Sequence, residues 1–207
     1  MNTSRCKSIL LLGPTGSGKT PLGEAMERTG INGHRAAHFD FGARLRAAVN
    51  EPAGYPLLSI TDIALLQKKL HDNALLEDDE FFIAERILLS FITAKNLAPD
   101  DFLILNGLPR HTGQAQALDR LVSTERVIYL DCSPEVVRQR IQTNAGGDRT
   151  MRSDDSVDEV ERKLRIFRKR TLLLLDYYRR RKIPIRKLRI EPDTSPEAAM
   201  AAAGTNV

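Results

Sequence analysis

Tryptophan is absent, aromatic residues make up only 5% of the 207 positions, and cysteine occurs twice. A surface that stacks successive bases needs aromatic rings, so their scarcity counts against a single-stranded nucleic-acid platform. Cys6 and Cys132 are too few for a disulfide framework or a four-cysteine zinc site. A reduced, cytoplasmic protein without structural metal is the resulting expectation. No apolar run reaches the roughly 18–20 residues of a membrane span, so no membrane partner is expected. The N-terminal stretch MNTSRCKSILLLG closes its short apolar run in a glycine loop and lacks the small-residue cleavage site of a secretory signal. Strong charge of either sign is missing too. A net +4 from 31 basic and 27 acidic residues suits nucleic acid and a small phosphate ligand equally. What remains is an ordinary composition, 42% hydrophobic and 28% charged, sufficient for one folded domain with its own core.

Short apolar runs alternate with longer amphipathic stretches. Ser8–Leu12, Phe102–Leu105, Val127–Leu130 and Ile185–Ile190 are too short for helices and read as strands buried on both faces, with Ala36–Phe39 as a weaker fifth. Ser133-Pro134-Glu135 is a helix start, because Ser caps free amides and Pro fits the first turn. Val157, Val160, Leu164, Phe167, Leu174 and Tyr178 recur at helical spacing and predict one long helix over Ser156–Arg181. The alternation predicts an α/β fold, a five-stranded parallel sheet between two layers of helices. Two stretches break it. Ala43–Val49, Asp62–Asn73 and Asp79–Ala94 are helical patterns between the second and third strands, which makes 41–96 a helical insert. The polar stretch Thr143–Asp155 reads as a mobile, arginine-bearing loop. The core then comprises 1–40, 97–142 and 156–191, and 192–207 reads as a frayed tail outside the single domain.

Gly13-Pro14-Thr15-Gly16-Ser17-Gly18-Lys19-Thr20 matches the phosphate-loop pattern, placed directly after a strand and before a helix. Glycines let successive amides point inward at phosphate oxygens, and the helix start adds partial positive charge. Lys19 reaches toward the β- and γ-phosphates, and the Thr20 hydroxyl is placed to ligate Mg²⁺. Pro21 removes one amide from the first turn, which predicts weaker phosphate contact with the fold retained. Further on, Asn106-Gly107-Leu108-Pro109-Arg110 leaves the end of a buried strand, the edge where ligands collect in open α/β sheets. Arg110 can pair bidentately with a phosphate, and Gln114 carries donors and an acceptor for a base edge. Arg44 and Arg46 start the first helix of the insert.

In combination these motifs resemble the adenylate kinase family of nucleoside monophosphate kinases, from the phosphate loop to about Arg180. The family's glycine–aspartate–leucine–arginine segment corresponds to Gly42 through Val49. Its aspartate-glycine-phenylalanine-proline-arginine turn and following glutamine correspond to Asn106 through Arg110 and Gln114. Its lid segment corresponds to Arg152-Ser153-Asp154-Asp155. The resemblance implies a P-loop core, a monophosphate-binding insert (41–96) and a short zinc-free lid (143–155). It implies transfer of the γ-phosphoryl of MgATP to a nucleoside monophosphate, AMP favoured, by a monomer in the cytoplasm without nucleic acid as a partner. By it, Gly13–Thr20 and Arg140 would hold ATP. Phe41, Gly42, Arg46, Leu76, Gly107, Arg110 and Gln114 would hold the acceptor. Lys19, Arg110, Arg140, Arg152 and Lys163 would stabilise the transferring group, and Thr20 would ligate Mg²⁺ with Asn106 or Asp40 acting through water. Four positions depart from the family pattern. Asn106 replaces an aspartate, Asn144 and Lys163 replace arginines, and Phe41 replaces a threonine. Asp40 is a candidate for the missing carboxylate, with a solvated turn residue as the simpler reading, and Arg149 is a candidate for the missing lid-side arginine.

Three other readings stay open on the residues. The same core serves kinases of other small acceptors, such as sugar acids. The departures also suit a nucleotide-binding protein with decayed catalysis. Arg179-Arg180-Arg181-Lys182 and Arg186-Lys187-Arg189 suit nucleic acid, although cations at a helix end are commoner as solvated surface. His38 and His111, near strand ends, have no metal-ligand spacing and read as supporting or solvated side chains.

Overall fold

Leu10, Leu12, Phe39, Leu103 and Leu105 point to one face of a sheet, while Ile9, Leu11, Ile104, Ile128 and Leu130 point to the other. Both sets are buried, because successive side chains of a strand alternate between faces and each face here carries helices. The computed structural model describes residues 5–148 and 156–204. Its strands are β1 (Cys6–Leu12), β2 (Ala36–Asp40), β3 (Phe102–Asn106), β4 (Val122–Asp131) and β5 (Ile185–Arg189). They form one parallel sheet in the order β2-β3-β1-β4-β5. This is the α/β architecture expected from the alternating pattern.

The helices follow from local chemistry. α1 (Lys19–Thr29) begins at Gly18, whose φ of 92° closes the phosphate loop. α2 (Phe41–Asn50) is capped by Asp40, which accepts the amide of Ala43. α3 (Ile60–His71) starts in a reciprocal capping box of Ser59 and Asp62. α4 (Phe81–Lys95) buries Ile83, Ala84, Ile87, Leu88 and Phe91 and completes the helical segment between β2 and β3. α5 (Thr112–Leu118) follows the Arg110 turn, and α6 (Pro134–Gln142) is capped by Ser133.

Two expectations are corrected. The single helix over Ser156–Arg181 is α7 (Val157–Ile166) and α8 (Leu174–Arg180), joined through a π-helical turn at Phe167–Thr171. The segment read as a frayed tail contains α9 (Pro196–Ala203), capped by Ser195. Ala199 and Ala203 are buried in the same apolar cluster as Leu22 and Met26 of α1. Small alanines let α9 approach closely, and that packing outweighs the weak amphipathic signal that suggested fraying. Among the described residues no helix is long and apolar enough to cross a membrane.

Candidate active site

The phosphate loop curls at Gly16 (φ 74°) and Gly18 (φ 92°). Ser17 Oγ donates to the Pro14 carbonyl at 2.9 Å, and Lys19 Nζ donates to the same oxygen at 2.6 Å. Lys19 is thus folded over its own loop, in reach of whatever the loop holds. Just beyond, the ends of β2 and β3 pair in register with Asp40 opposite Asn106. Thr20 Oγ1 donates to Asp40 Oδ2 at 2.7 Å. Asn106 Nδ2 donates to Asp40 Oδ2 at 3.0 Å and to Thr20 Oγ1 at 3.0 Å. Asp40 is therefore a held carboxylate in the cleft, and the solvated-turn reading is corrected. Beneath this group His38 is buried, and its Nε2 lies 3.4 Å from Asn106 Nδ2. Burial pushes the His38 pKa down, favouring the neutral ring. Gly23 leaves the space for it, since a Cβ there would meet the imidazole at 2.4 Å.

Across the cleft, Arg110 stands on a turn fixed from both sides. Its amide donates to Gln114 Oε1 at 2.8 Å, and its carbonyl accepts Thr171 Oγ1 at 2.8 Å. The Arg110 Nε is buried without a hydrogen-bond partner. Desolvation lowers the pKa of this guanidinium, with Asp40 pulling the other way. A buried, under-paired guanidinium beside a cleft is the arrangement an incoming oxyanion completes.

One cleft is lined by Gly13, Thr15, Gly16, Gly18, Lys19 and Thr20 from the phosphate loop. Asp40, Gly42 and Arg46 line it from the start of the insert, and Asn106, Gly107 and Arg110 from the β3 turn. Lys163 closes it from α7. Most of the anticipated residues are therefore brought together. Pro14 and Ser17 instead shape the loop from behind it, and Phe41 is a core residue stacked on Phe39 at 6.0 Å.

Three expected residues occupy different places. Gln114 is 1% exposed and lies behind Arg110, its amide nitrogen donating to the Leu76 carbonyl at 2.9 Å. Leu76 is likewise buried, and His111 Nε2 lies 3.2 Å from the same carbonyl. Arg140 is 3% exposed, and its Nε and Nη1 donate to backbone carbonyls. Nε reaches Gly16 at 3.2 Å, while Nη1 reaches Glu191, Pro192 and Thr194 at 2.8, 3.1 and 3.0 Å. It braces the phosphate loop against the C-terminal segment and does not line the cleft. Arg152 and Arg149 lie outside the described residues. Asn73, Leu75, Asp148, Ile166 and Phe167 also line the cleft, and sequence reasoning missed them.

A phosphate loop facing a half-buried arginine across the carboxyl edge of a parallel sheet defines a P-loop phosphotransferase. The family model described as an AAA domain matches residues 9–163. Curated relatives include the adenylate kinase of Treponema denticola, 26% identical over 199 residues that cover 83% of this chain and 86% of the relative. The adenylate kinase of Stenotrophomonas maltophilia (strain R551-3) is 31% identical over 176 residues, covering 82% and 84%. That of Xanthomonas campestris pv. campestris (strain 8004) is 31% identical over 180 residues, covering 84% and 86%. The chain belongs to the adenylate kinase family.

Proposed function

We propose that the protein transfers the γ-phosphoryl group of MgATP to a nucleoside monophosphate, with AMP as the favoured acceptor. The observation that carries this reading is one cleft lined by Lys19 and Thr20 on one side and by Arg46 and Arg110 on the other. AMP is favoured because relatives of similar length are named adenylate kinases.

Phosphoryl transfer asks little covalent chemistry of a protein. It needs the two substrates in line and cations where charge develops. The phosphate-loop amides and Lys19 hold the donor's terminal phosphates. Arg110, with Arg46 beside it, holds the acceptor phosphate through charge-assisted bonds. Lys163 adds positive charge over the path between them. Thr20 and Asp40 offer hard oxygen donors that fit Mg²⁺, which supplies charge neutralisation on the β- and γ-phosphates when it arrives with ATP. The cleft walls, including Ile166 and Phe167, exclude water that would otherwise compete for the phosphoryl group. The reading extends to a cytoplasmic monomer acting on small molecules.

The commitment of Gln114 to Leu76 favours one second reading, an acceptor without a base to recognise, such as a smaller phosphate ester. Incubation of the folded protein with MgATP and a panel of monophosphates, followed by diphosphate analysis, tests both. AMP turnover supports the first reading. Transfer to a sugar phosphate alone supports the second, and no transfer to any acceptor sinks both.

A further inference from the structure

The turn that follows β3 opens with Asn106, an amide that brings no charge to the metal side of the phosphate loop. A negative charge is nevertheless present, on the neighbouring strand. Because β2 and β3 are parallel and paired Asp40 to Asn106, the two side chains leave the sheet edge side by side. Asp40 is fixed from three directions. Its Oδ1 accepts the Ala43 amide at 3.0 Å, while its Oδ2 accepts Thr20 Oγ1 at 2.7 Å and Asn106 Nδ2 at 3.0 Å.

Helix capping alone accounts for Oδ1. It does not account for Oδ2 on the one hydroxyl that a phosphate loop offers to a cation. Mg²⁺ keeps much of its water and is typically bound through one or two carboxylates together with substrate phosphates. A threonine oxygen that ligates a cation through a lone pair still carries a proton, and Asp40 Oδ2 accepts it. Asn106, donating to both partners, fixes their relative position.

Resting on the MgATP-dependent reading above, we propose that Asp40 is the carboxylate of the metal site. It binds the waters of the nucleotide's Mg²⁺, with Thr20 as the direct ligand and Asn106 as the positioning residue. The charge has moved one strand across the sheet edge.

The test is a carboxylate exchange in the full chain, with Mn²⁺ as the probe and electron paramagnetic resonance reading Mn²⁺ bound in the presence of ATP. Asp40→Asn keeps an oxygen for the Ala43 amide, and Asn is a good helix cap, so the melting temperature should hardly move. The expected result is Mn²⁺ affinity of the ATP complex weakened about tenfold or more, the scale of one lost charge-assisted contact. The exchanged variant Asp40→Asn/Asn106→Asp should recover most of it. Metal-free ATP binding should weaken in none of the three proteins, since Asp40→Asn only removes a like charge beside the phosphates. Unchanged Mn²⁺ affinity in Asp40→Asn overturns the proposal, as does an equal loss of ATP binding with and without metal, or metal-independent ATP binding by the wild type. The binding readout does not depend on any acceptor. Mn²⁺ binding that follows Asp40 in a protein that phosphorylates nothing would refute the kinase reading and leave this assignment standing.

Discussion

Gln114 receives the backbone amide of Arg110 at 2.8 Å and simultaneously holds the Leu76 carbonyl at 2.9 Å. The side chain expected to read a substrate base is thereby a strut under Arg110. Gln114→Ala leaves the part-buried Arg110 amide without its partner, at about 1–3 kcal/mol, while the Leu76 carbonyl keeps its contact with His111. Lower stability in urea is expected, together with a raised KM for the acceptor and little change in the KM for ATP. Equal rises in both constants would point to general loosening.

On the proposed reading Lys19 and Arg110 act on different substrates and are separable. Lys19→Ala should lower turnover by about 10³ or more, the scale of losing a cation that stabilises a transferring phosphoryl group. Arg110→Lys keeps the charge and loses the fork, so its effect should fall on the acceptor KM, roughly tenfold. Steady-state kinetics with each substrate varied in turn separates the two.

Arg170 forks onto Glu77 with both contacts at 2.7 Å, tying the loop after α3 to the π-helical turn. The Arg170 hydrogen bonds hold the Glu77 carboxyl below its ordinary value of 4.5. A depressed folded-state pKa means stability that is present above pH 4.5 and lost as pH falls through the lower folded value. The side chains are 36% and 50% exposed, so solvent screening limits the effect to under about 1 kcal/mol. Glu77→Gln should therefore lower stability at neutral pH by under about 1 kcal/mol, leave stability below the folded-state pKa nearly unchanged, and so flatten a small part of the acid limb.

Removing the residues after Pro192 should destabilise the fold, because α9 covers part of α1 and Arg140 bonds to the Thr194 carbonyl. Loss of that charge-assisted bond costs about 1.5–3 kcal/mol before any apolar term. Arg140 also holds the Gly16 carbonyl, so ATP affinity should fall together with the denaturation midpoint. A truncated protein as stable as the full chain would return this segment to the role of a passive tail.

Much of this was legible in the residues. Buried runs such as Phe102–Leu105 have one stable use in an α/β chain, and the phosphate loop carries its own geometry. The neighbours of a side chain were harder. Asp40 and Thr20 are twenty residues apart, and nothing local reveals that strand register sets Asp40 beside Asn106. Arg140 and Gln114 look like ligands to any reader of spacing, yet their direction is decided by carbonyls contributed from Glu191 and Leu76. The helix at Pro196 does carry a start signal. Ser195-Pro196-Glu197 repeats the start signal of Ser133-Pro134-Glu135, but the alanines after it carry little amphipathic contrast.

The column formed by α7, the π-helical turn and α8 touches several parts of the cleft. Arg162 holds the carbonyls of Asp72 and Asn73 at 3.1 and 2.7 Å, Arg170 holds Glu77, and Thr171 holds the carbonyl of Arg110. Lys163, on the same column, lines the cleft. Arg110 and the cleft wall at Lys163 are thus attached to a common beam. If seating one substrate shifts that beam, the two binding equilibria are linked, and the linkage is reciprocal. Whatever factor the acceptor imposes on donor affinity, the donor imposes on the acceptor.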